Sequence, residues 1–374
     1  MKVVIASDSY KGCMTSSQAC DRIEAGILHA NPAHTCVKYP MADGGEGTAA
    51  VFCDVIHGKM VTCQTVDAYG KSIHAHYAYN GSIAVMDVAS CIGLNMTPKE
   101  KRNPMVASSY GVGLMIKDAI HRGAKKLVIG LGGSGTNDGG MGILRAFGVK
   151  FYDKKRKELE PGIYSLKKIA FMDKRQFKKP SIEIIVACDV KNHLLGPEGA
   201  TYIFGAQKGI FTNQMKDIDH WMALYRDKVQ QTFHVDMDVY EGSGAAGGIG
   251  GVLLGVFHAR QQAGISLLME TNHMAKDIQD CDLVITGEGQ TDAQTMYGKV
   301  PYGVCELANQ YGKPVICLSG ALGKGYQDVY QMGMIGIFST ADRAMSFHQA
   351  LAQGPEKLEA LAYSITKLVD GLRK

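Results

Sequence analysis

The sequence has almost no excess of charge of one sign. Its 40 lysine and arginine residues nearly balance its 36 aspartate and glutamate residues, which leaves a formal net charge of +4. The densest basic run, residues 154–157, has an acidic residue at each end and is typical of a solvated turn. A nucleic-acid surface needs concentrated positive charge, so the sequence argues against a nucleic-acid partner.

Long apolar runs and closely paired cysteines are also missing. No stretch reaches the roughly 18 apolar residues that a membrane span needs, so we expect no membrane contact. None of the ten cysteines belongs to a C-x-x-C pair, which removes the usual zinc pattern. The first ten residues predict a strand and a loop rather than a secretory leader. We therefore expect reduced thiols in a cytoplasmic protein, either a monomer or a small homo-oligomer.

Glycine, in contrast, is abundant and clustered. The chain has 45 glycines among 374 residues, above the usual level of roughly 7%. With only 10 prolines, this is not the composition of a linker. Clustered glycines let backbone N–H groups approach a ligand closely. Six clusters also contain charged residues, at 8–12, 42–48, 130–140, 189–200, 204–209 and 286–299, and an uncharged seventh lies at 242–248.

Short apolar runs that end in small or acidic residues recur along the chain and predict strands buried on both faces of an α/β sheet. They lie at residues 3–6, 127–129, 182–186, 283–285, 315–318 and 335–338. Amphipathic patterns between them predict helices at residues 16–30, 107–122, 301–311 and 356–372.

One region departs from this pattern and indicates a second domain. Residues 61–88 contain an alternating apolar and polar run that breaks at Asn80-Gly81, which predicts a β-hairpin. We therefore expect an inserted domain at residues 66–269. The first domain is then discontinuous and consists of residues 1–65 and 270–374.

The third glycine cluster is compatible with a dinucleotide-binding unit. It contains G-x-G-x-x-G at Gly130, Gly132 and Gly135, and a possible strand at residues 149–152 ends at Asp153. A nicotinamide-dependent dehydrogenase of a small hydroxy acid is therefore one alternative. Against it, Asp138 lies in the first helical turn, where its carboxylate would compete with a pyrophosphate for the same N–H groups. A glycine-rich turn without a ligand is another alternative.

Phosphoryl transfer would need a scaffold other than the common ones. A Walker P-loop is absent, because Thr65 stands where the motif that would end at Gly70-Lys71-Ser72 requires glycine. The protein-kinase signatures are absent as well. The reaction needs cations on the phosphates, carboxylates for Mg²⁺ and a base or positioning group for the acceptor hydroxyl. The cations are available as lysines beside glycines, namely Lys11, Lys208 and Lys299.

Acidic residues in predicted loops that also contain glycine are candidates for the Mg²⁺ ligands and for the base. They are Asp43, Glu46, Asp138, Asp189, Glu288 and Asp292. Asp8 and Asp189 lie at the ends of predicted strands, at the sheet edge where functional groups of α/β folds gather. These two are the better candidates for a base or a metal ligand.

Taken together, the clusters resemble the type I glycerate kinase family of bacteria. The resemblance rests on DSYKG at 8–12, ADGGEGT at 42–48, GLGGSGTNDGG at 130–140, ACDVKN at 187–192, FGAQKG at 204–209, GSGAAGG at 242–248 and TGEGQTDAQTMYGKVPYGV at 286–304. The motifs occur in the family's order and span almost the whole chain. Among small departures, Cys13 stands where family members often have serine, and His193 where they often have proline.

The resemblance implies ATP- and Mg²⁺-dependent phosphorylation of D-glycerate. It is similar to the branch that acts on the 2-hydroxyl and gives 2-phosphoglycerate in glyoxylate, glucarate or galactarate catabolism. It also implies two α/β domains with the active site in the cleft between them. One domain would be flavodoxin-like or Rossmann-like with a mainly parallel sheet, and the other would have a mixed sheet. A non-catalytic nucleotide sensor is disfavoured, because the charged positions of the loops are intact.

With this activity as the expectation, we hypothesise roles for individual residues. ATP would be bound by Gly132, Gly133, Ser134, Asn137, Asp138, Gly244, Gly247 and Lys299. Lys11 or Lys208 would neutralise the transferring phosphoryl group. Asp8 or Asp189 would orient the 2-hydroxyl of glycerate.

The expected site also includes residues that would bind Mg²⁺ and the acceptor, glycerate. Glu288, together with Asp189 or Asp292, would hold Mg²⁺. The substrate-binding candidates are Asp43, Glu46 and Arg343. Arg343 follows the last predicted strand and is the candidate partner of the substrate carboxylate.

Overall fold

The computed structural model describes residues 1–42, 47–296 and 298–373. Two of the predicted substrate-binding residues, Asp43 and Glu46, lie outside the described residues. The chain forms two compact units, Met1–Asp43 with Gly264–Lys374, and Gly44–Ala263. The domain boundaries expected from the sequence stay a prediction. Across the described ranges, no helix has both the length and the apolar character required to cross a membrane.

The described residues alternate between strands and helices over most of their length. In chain order, the strands are β1 Lys2–Ser7, β2 Thr35–Pro40, β3 Lys59–Val66, β4 Ser72–Tyr79, β5 Ile83–Asp87, β6 Lys126–Gly130, β7 Lys150–Tyr152, β8 Phe171–Asp173, β9 Glu183–Ala187, β10 Arg260–Gln262, β11 Leu283–Thr291, β12 Val315–Leu322 and β13 Gly336–Ser339. The α-helices are α1 Ser16–Ala30, α2 Thr48–Val55, α3 Ala89–Ile92, α4 Tyr110–His121, α5 Met141–Ala146, α6 Ile163–Leu166, α7 Ala200–Phe204, α8 Thr212–Phe233, α9 Ile249–Gly251, α10 Gly264–Thr271, α11 Met274–Gln279, α12 Val300–Gln310 and α13 Phe347–Leu372. Short 3-10 helices lie at Leu94–Met96, Lys99–Lys101, Ala206–Lys208, Met237–Val239, Ala245–Gly248, Ala293–Met296 and Tyr326–Met332, and a π-helical turn lies at Val252–Val256.

The first unit is built on a five-stranded sheet with the order β13-β12-β11-β1-β2. All four pairings are parallel, and the apolar residues of β1 are fully buried, which is why these strands appear in the sequence as continuous apolar runs. Counted within the unit, this is the flavodoxin-like strand order, whose switch point lies between β1 and β11. The predicted α/β class with a mainly parallel sheet is confirmed.

Helix α1 has the limits that the sequence predicts, and local chemistry explains both ends. Thr15 caps its start, because its hydroxyl accepts from the Gln18 N–H at 3.2 Å and the Gln18 side chain accepts from the Thr15 N–H at 2.9 Å. At the other end Asn31 precedes a proline, which disfavours helical backbone, and Asn31 is extended with φ −156°. The helix packs against α13 and covers the sheet.

Helix α13 begins at Phe347, well before the predicted start at residue 356, and it contains Pro355. A proline inside a helix has no N–H for the carbonyl four residues earlier, which here is Leu351. The Cys13 thiol fills that role, since its Sγ lies 3.1 Å from the Leu351 carbonyl oxygen. The loop after β1 thus supplies the donor that the proline removes from α13.

The second unit contains a six-stranded mixed sheet with the order β10-β9-β6-β5-β4-β3. Strands β5, β6, β9 and β10 are parallel, whereas β3, β4 and β5 form an antiparallel meander. The predicted hairpin at Asn80-Gly81 is confirmed. The Asn80 side chain accepts from the N–H groups of Ser82 and Ile83 at 3.0 and 2.8 Å, and Gly81 has φ +96°.

None of the ten cysteines forms a disulfide, and all except Cys13 and Cys36 are buried. Their thiols act mainly as small apolar groups in the two cores. Burial raises the pKa of the Cys20 thiol to about 12, which keeps it protonated at neutral pH.

The bond between Cys13 and α13 gives a test of this fold. We expect Cys13→Ala to lower the free energy of unfolding by about 1 kcal/mol, the usual contribution of one hydrogen bond. Cys13→Ser, whose hydroxyl can donate to the same carbonyl, should retain most of it. Urea denaturation of the three proteins measures the difference. Equal stability of the alanine and serine variants would contradict the role of the thiol as a donor.

Candidate active site

The first unit has a cavity of about 430 Å³ at the carboxyl ends of its strands. Ligands of open α/β sheets bind at this edge, outside the switch point of the strand order. The cavity brings together five of the predicted site residues, namely Asp8, Lys11, Glu288, Asp292 and Lys299. The loop after β1 and the end of β11 supply four of these, and Lys299 stands at the N-cap of α12.

Glu288 lies inside β11 and is only 5% exposed. Its Oε1 accepts from the hydroxyls of Thr291 and Thr295 at 3.0 and 2.6 Å, and its Oε2 lies 3.4 Å from Lys299 Nζ. Burial raises the pKa of Glu288, against the lowering effect of the Thr295 hydrogen bond and of the Lys299 charge. The carboxylate is therefore fixed on one side and faces a cation on the other.

Asp292 shares the same cation. Its Oδ1 is 3.4 Å from Lys299 Nζ and accepts from the Gln294 N–H at 2.9 Å, while its Oδ2 accepts from the Gln290 side chain at 3.0 Å. Burial alone would raise the pKa of Asp292, but the hydrogen bonds from Gln290 and Gln294 and the charge of Lys299 outweigh it, and the pKa is lowered. Lys299 thus bridges two carboxylates at the cavity.

The loop that carries Asp8 and Lys11 is anchored by a buried tyrosine. The Tyr10 hydroxyl donates to the Leu318 carbonyl at 2.6 Å, which ties the loop to β12. Asp8 Oδ1 accepts from the Ser9 N–H at 2.6 Å. Lys11 is exposed and lines the cavity. The anchor therefore fixes the backbone of the loop from which the Lys11 side chain extends.

In the second unit, the glycine loop after β6 is held by a fully buried carboxylate. Asp138 accepts four hydrogen bonds, from the Ser109 N–H and hydroxyl at 2.8 and 2.9 Å and from the N–H groups of Gly140 and Gly142 at 3.1 and 3.2 Å. Burial raises its pKa, and these hydrogen bonds oppose the increase. Both oxygens of Asp138 are thus engaged by the protein itself.

The glycines of this loop and of the loop at 242–248 allow very close backbone contacts. A Cβ on Gly247 would lie 2.1 Å from the Thr136 carbonyl oxygen, and one on Gly244 would lie 2.2 Å from the His193 carbonyl oxygen. The Gly139 N–H donates to the Gly247 carbonyl at 2.9 Å. The two predicted ligand loops are therefore packed directly against each other.

Lys208 lies beneath the first of these loops and is only 2% exposed. Its Nζ is 2.8 Å from the Thr136 carbonyl oxygen and 3.4 Å from Ser134 Oγ. Burial lowers the pKa of Lys208 to about 7, and the charge of Asp138 opposes the decrease. The partners of this buried ammonium are a neutral carbonyl and a neutral hydroxyl, and an additional anion would stabilise its charge.

Some polar atoms around these loops have no partner within the described residues. They are Thr136 Oγ1, Asn137 Oδ1 and Ser243 Oγ, and all three are buried. Buried polar atoms without hydrogen bonds are rare, and they commonly mark a bound ligand or water. Gly132 and Gly133 lie at the accessible part of the same loop, whereas Ser134 is buried.

The remaining predicted residues occupy different settings. Asp189 follows β9 and is half-buried, in a loop held by the Gln261 side chain, which donates to the carbonyls of Cys188 and Val190 at 3.2 Å each. Arg343 is exposed and has the side chain of Gln353 at 3.5 Å. It does not contribute to the wall of the first-unit cavity.

The predicted Mg²⁺ ligands Asp189, Glu288 and Asp292 do not form a metal-binding cluster by themselves. Within the described ranges, no three histidine, cysteine, aspartate or glutamate side chains are grouped so that they could hold a metal ion by themselves. Glu288 and Asp292 belong to the first unit and Asp189 to the second. A metal at Glu288 and Asp292 would need ligands from water or a substrate to complete its coordination.

Comparison with known proteins identifies the family. The model of the Glycerate kinase family matches residues 3–370, almost the whole chain. The chain belongs to the glycerate kinase family. It is therefore a glycerate kinase enzyme.

Individual relatives agree with this assignment. A glycerate kinase from Halalkalibacterium halodurans is 37% identical over 97% of this chain and 97% of its own length. A glycerate 2-kinase from Escherichia coli K12 is 37% identical over 91% of this chain and 90% of its own length. A crystal structure from Salmonella typhimurium LT2, provisionally named glycerate kinase 2, has a TM-score of 0.87 at 33% identity and covers 100% of this chain and 99% of its own.

The dinucleotide alternative is wrong for this member of the glycerate kinase family. In a dinucleotide-binding unit, the strand after the glycine loop joins the same parallel sheet. Here β7 pairs with β8 in a separate antiparallel sheet, and the neighbours of β6 are β5 and β9. Asp153 holds a turn, since its Oδ1 accepts from the N–H groups of Lys155 and Lys157 at 2.8 and 2.9 Å.

Several polar residues of these sites were not predicted from the sequence. Thr291 and Thr295 hold Glu288, and Ser319 Oγ lies 2.5 Å from Thr291 Oγ1. Ser109 holds Asp138. The two threonines stand three and seven residues after Glu288, and this short spacing in the sequence could have indicated that their hydroxyls bind its carboxylate. Ser109 and Ser319 are distant in sequence and gave no such indication.

The buried ammonium of Lys208 predicts a dependence of stability on pH. Its folded-state pKa lies below the usual 10.5, so the unfolded chain binds more protons between pH 7 and about 10. The free energy of unfolding of the native protein should therefore rise as the pH increases across this window. In Lys208→Met, which lacks the titrating ammonium, the rise should be smaller. Urea denaturation followed by fluorescence of Trp221, the single tryptophan, reports on the second unit.

The control is Lys154→Met, which removes an exposed lysine from the turn after β7. This variant should keep the pH dependence of the native protein. If Lys208→Met retained the same pH dependence as well, the lowered pKa of Lys208 would be contradicted.

Proposed function

We propose that this enzyme transfers the γ-phosphoryl group of ATP to the 2-hydroxyl of D-glycerate and releases 2-phosphoglycerate and ADP. The observation that carries the proposal is Lys299, which bridges Glu288 and Asp292 in a cavity that Lys11 also lines. Cations and carboxylates together are what phosphoryl transfer needs. The names of the relatives support glycerate as acceptor, and the Escherichia coli relative supports the 2-position.

In the reaction, the glycerate 2-oxygen forms a bond to the γ-phosphorus while the bond to the β,γ-bridging oxygen breaks. The hydroxyl proton passes to a carboxylate, and Asp8 or Asp189 is suited to accept it because each lies just after the carboxyl end of a strand, Asp8 one residue after β1 and Asp189 two residues after β9. The lysines at the cavity, Lys11 and Lys299, balance the charge on the phosphates. Lys208 of the second unit is the alternative cation for this role, since it lies beneath the glycine loop.

The glycine loops of the second unit are suited to bind phosphate oxygens. Gly132 and Gly133 present accessible backbone, and Gly244 and Gly247 allow the close packing that shapes the loops. The unpartnered amide oxygen of Asn137 is available to a hydrogen-bond donor such as a water. Asp138, whose oxygens are engaged by four donors, acts by holding the loop and not by contacting the nucleotide.

The residues present fit a magnesium ion that is completed by substrate. Mg²⁺ is commonly held by one or two carboxylates together with water and phosphate oxygens. Glu288 and Asp292 provide two carboxylates at one cation-binding position, which Lys299 faces in this structure. When bound there, Mg²⁺ would neutralise charge on the phosphates of ATP.

We further propose that the enzyme works in the cytoplasm, in the catabolism of glyoxylate, glucarate or galactarate. Its ten free cysteines are the observation that supports a reducing compartment.

An assay of ADP release tests the proposed reaction. We expect release that requires both D-glycerate and Mg²⁺. Lys11→Met and Asp189→Asn should each lower kcat by roughly 10²-fold or more, because each removes a charge that acts on the reacting groups. Their matched controls, Lys154→Met and Asp217→Asn, change exposed residues outside both sites and should leave turnover unchanged.

Circular dichroism of each variant should confirm that it is folded. No ADP release from folded native enzyme with D-glycerate would overturn the proposal of this acceptor. Near-normal turnover of Asp189→Asn would remove Asp189 from the mechanism and leave Asp8 as the candidate base.

A further inference from the structure

One wall of the first-unit cavity is apolar and comes from a single helix face. Phe347, Ala350, Leu351 and Gly354 line it, with the spacing of one face of α13. Their exposure decreases along the helix, from 79% at Phe347 to a buried Gly354. The same cavity is lined by the ammonium groups and carboxylates described above, so it combines an apolar wall with charged groups.

This combination does not match D-glycerate alone. Glycerate has three carbons, each bonded to oxygen, and it offers no apolar surface to a helix face. A cavity of about 430 Å³ is in the range that accommodates ligands much larger than a three-carbon acid. The component of the proposed reaction with a large, flat and largely apolar face is the purine base of ATP.

Phe347 is placed to contact such a base. It is the first residue of α13, and Ser346 before it forms a capping box with Gln349, with hydrogen bonds of 3.2 and 3.0 Å. The backbone at Phe347 is therefore fixed while its ring remains largely exposed at the cavity. An exposed aromatic ring on a rigid element is a suitable stacking surface for a nucleobase.

We infer that this cavity binds the adenine and ribose of the phosphoryl donor, with Phe347 as the stacking residue. The ammonium groups of Lys11 and Lys299 in the same cavity suit the phosphates of that nucleotide. The inference rests on the proposed function, since it takes ATP as the donor. It assigns the specificity for the base to α13, a part of the chain outside all of the glycine-rich motifs.

Isothermal titration calorimetry with ADP tests the inference directly. Phe347→Ala should weaken ADP binding roughly tenfold or more, the loss expected when one base-stacking aromatic is removed. Phe347→Trp should restore the affinity. Ala350→Phe, which fills the cavity without removing a polar group, should weaken ADP binding as well. Phe211→Ala, which removes an aromatic side chain that is 71% exposed in the second unit, should bind ADP like the native enzyme.

Steady-state kinetics then separates the two substrates. The KM for ATP should rise in Phe347→Ala, while the KM for D-glycerate stays unchanged. Unchanged ADP affinity in both Phe347→Ala and Ala350→Phe, or a loss that falls on D-glycerate, would overturn the inference. Because calorimetry with ADP needs no turnover, it gives a result even if the native enzyme fails to phosphorylate glycerate, and the two failures are distinguishable.

Discussion

The second unit depends on the burial of one carboxylate. Asp138 is fully buried, and a buried charge is tolerated only when hydrogen bonds replace its water. Four donors from Ser109, Gly140 and Gly142 do so, and in the process they fix the glycine loop to the starts of α4 and α5. Lys208, also buried, lies close enough for the two charges to influence each other. The loop geometry is therefore set by electrostatics, with the glycines providing the necessary space.

In the first unit, the buried acid Glu288 has different contacts. Oε1 of Glu288 accepts from two threonine hydroxyls and Oε2 has a lysine nearby, so one side of the carboxylate is structural and the other faces the cavity. Glu288 and Asp138 therefore have different roles, although both lie in glycine-rich motifs of the sequence. An acid whose oxygens are all engaged shapes a loop, whereas an acid with one oxygen beside a cation can act on a ligand.

Local signals predicted α1 residue for residue, because a capping box and an Asn-Pro pair mark its ends. The start of α13 was missed because Pro355 and the glycine before it are typical helix breakers. The helix continues through them because its apolar face is buried against α1 and the sheet, and the Cys13 thiol supplies a donor that Pro355 lacks. Both contacts join residues far apart in sequence. The parallel strands and the charged loops were predictable from short-range patterns. The partners of Glu288 and Asp138 were not, since they depend on strand register and on packing between elements.

Phosphorus NMR of the reaction product distinguishes phosphorylation of the glycerate 2-hydroxyl from phosphorylation of the 3-hydroxyl. Carbon 2 of glycerate carries a single hydrogen and carbon 3 carries two. Without proton decoupling, the ester phosphorus of 2-phosphoglycerate should therefore appear as a doublet, which is the result we predict for D-glycerate, ATP and Mg²⁺. A triplet, the pattern of 3-phosphoglycerate, would contradict phosphorylation of the 2-hydroxyl, as would the absence of any new ester signal.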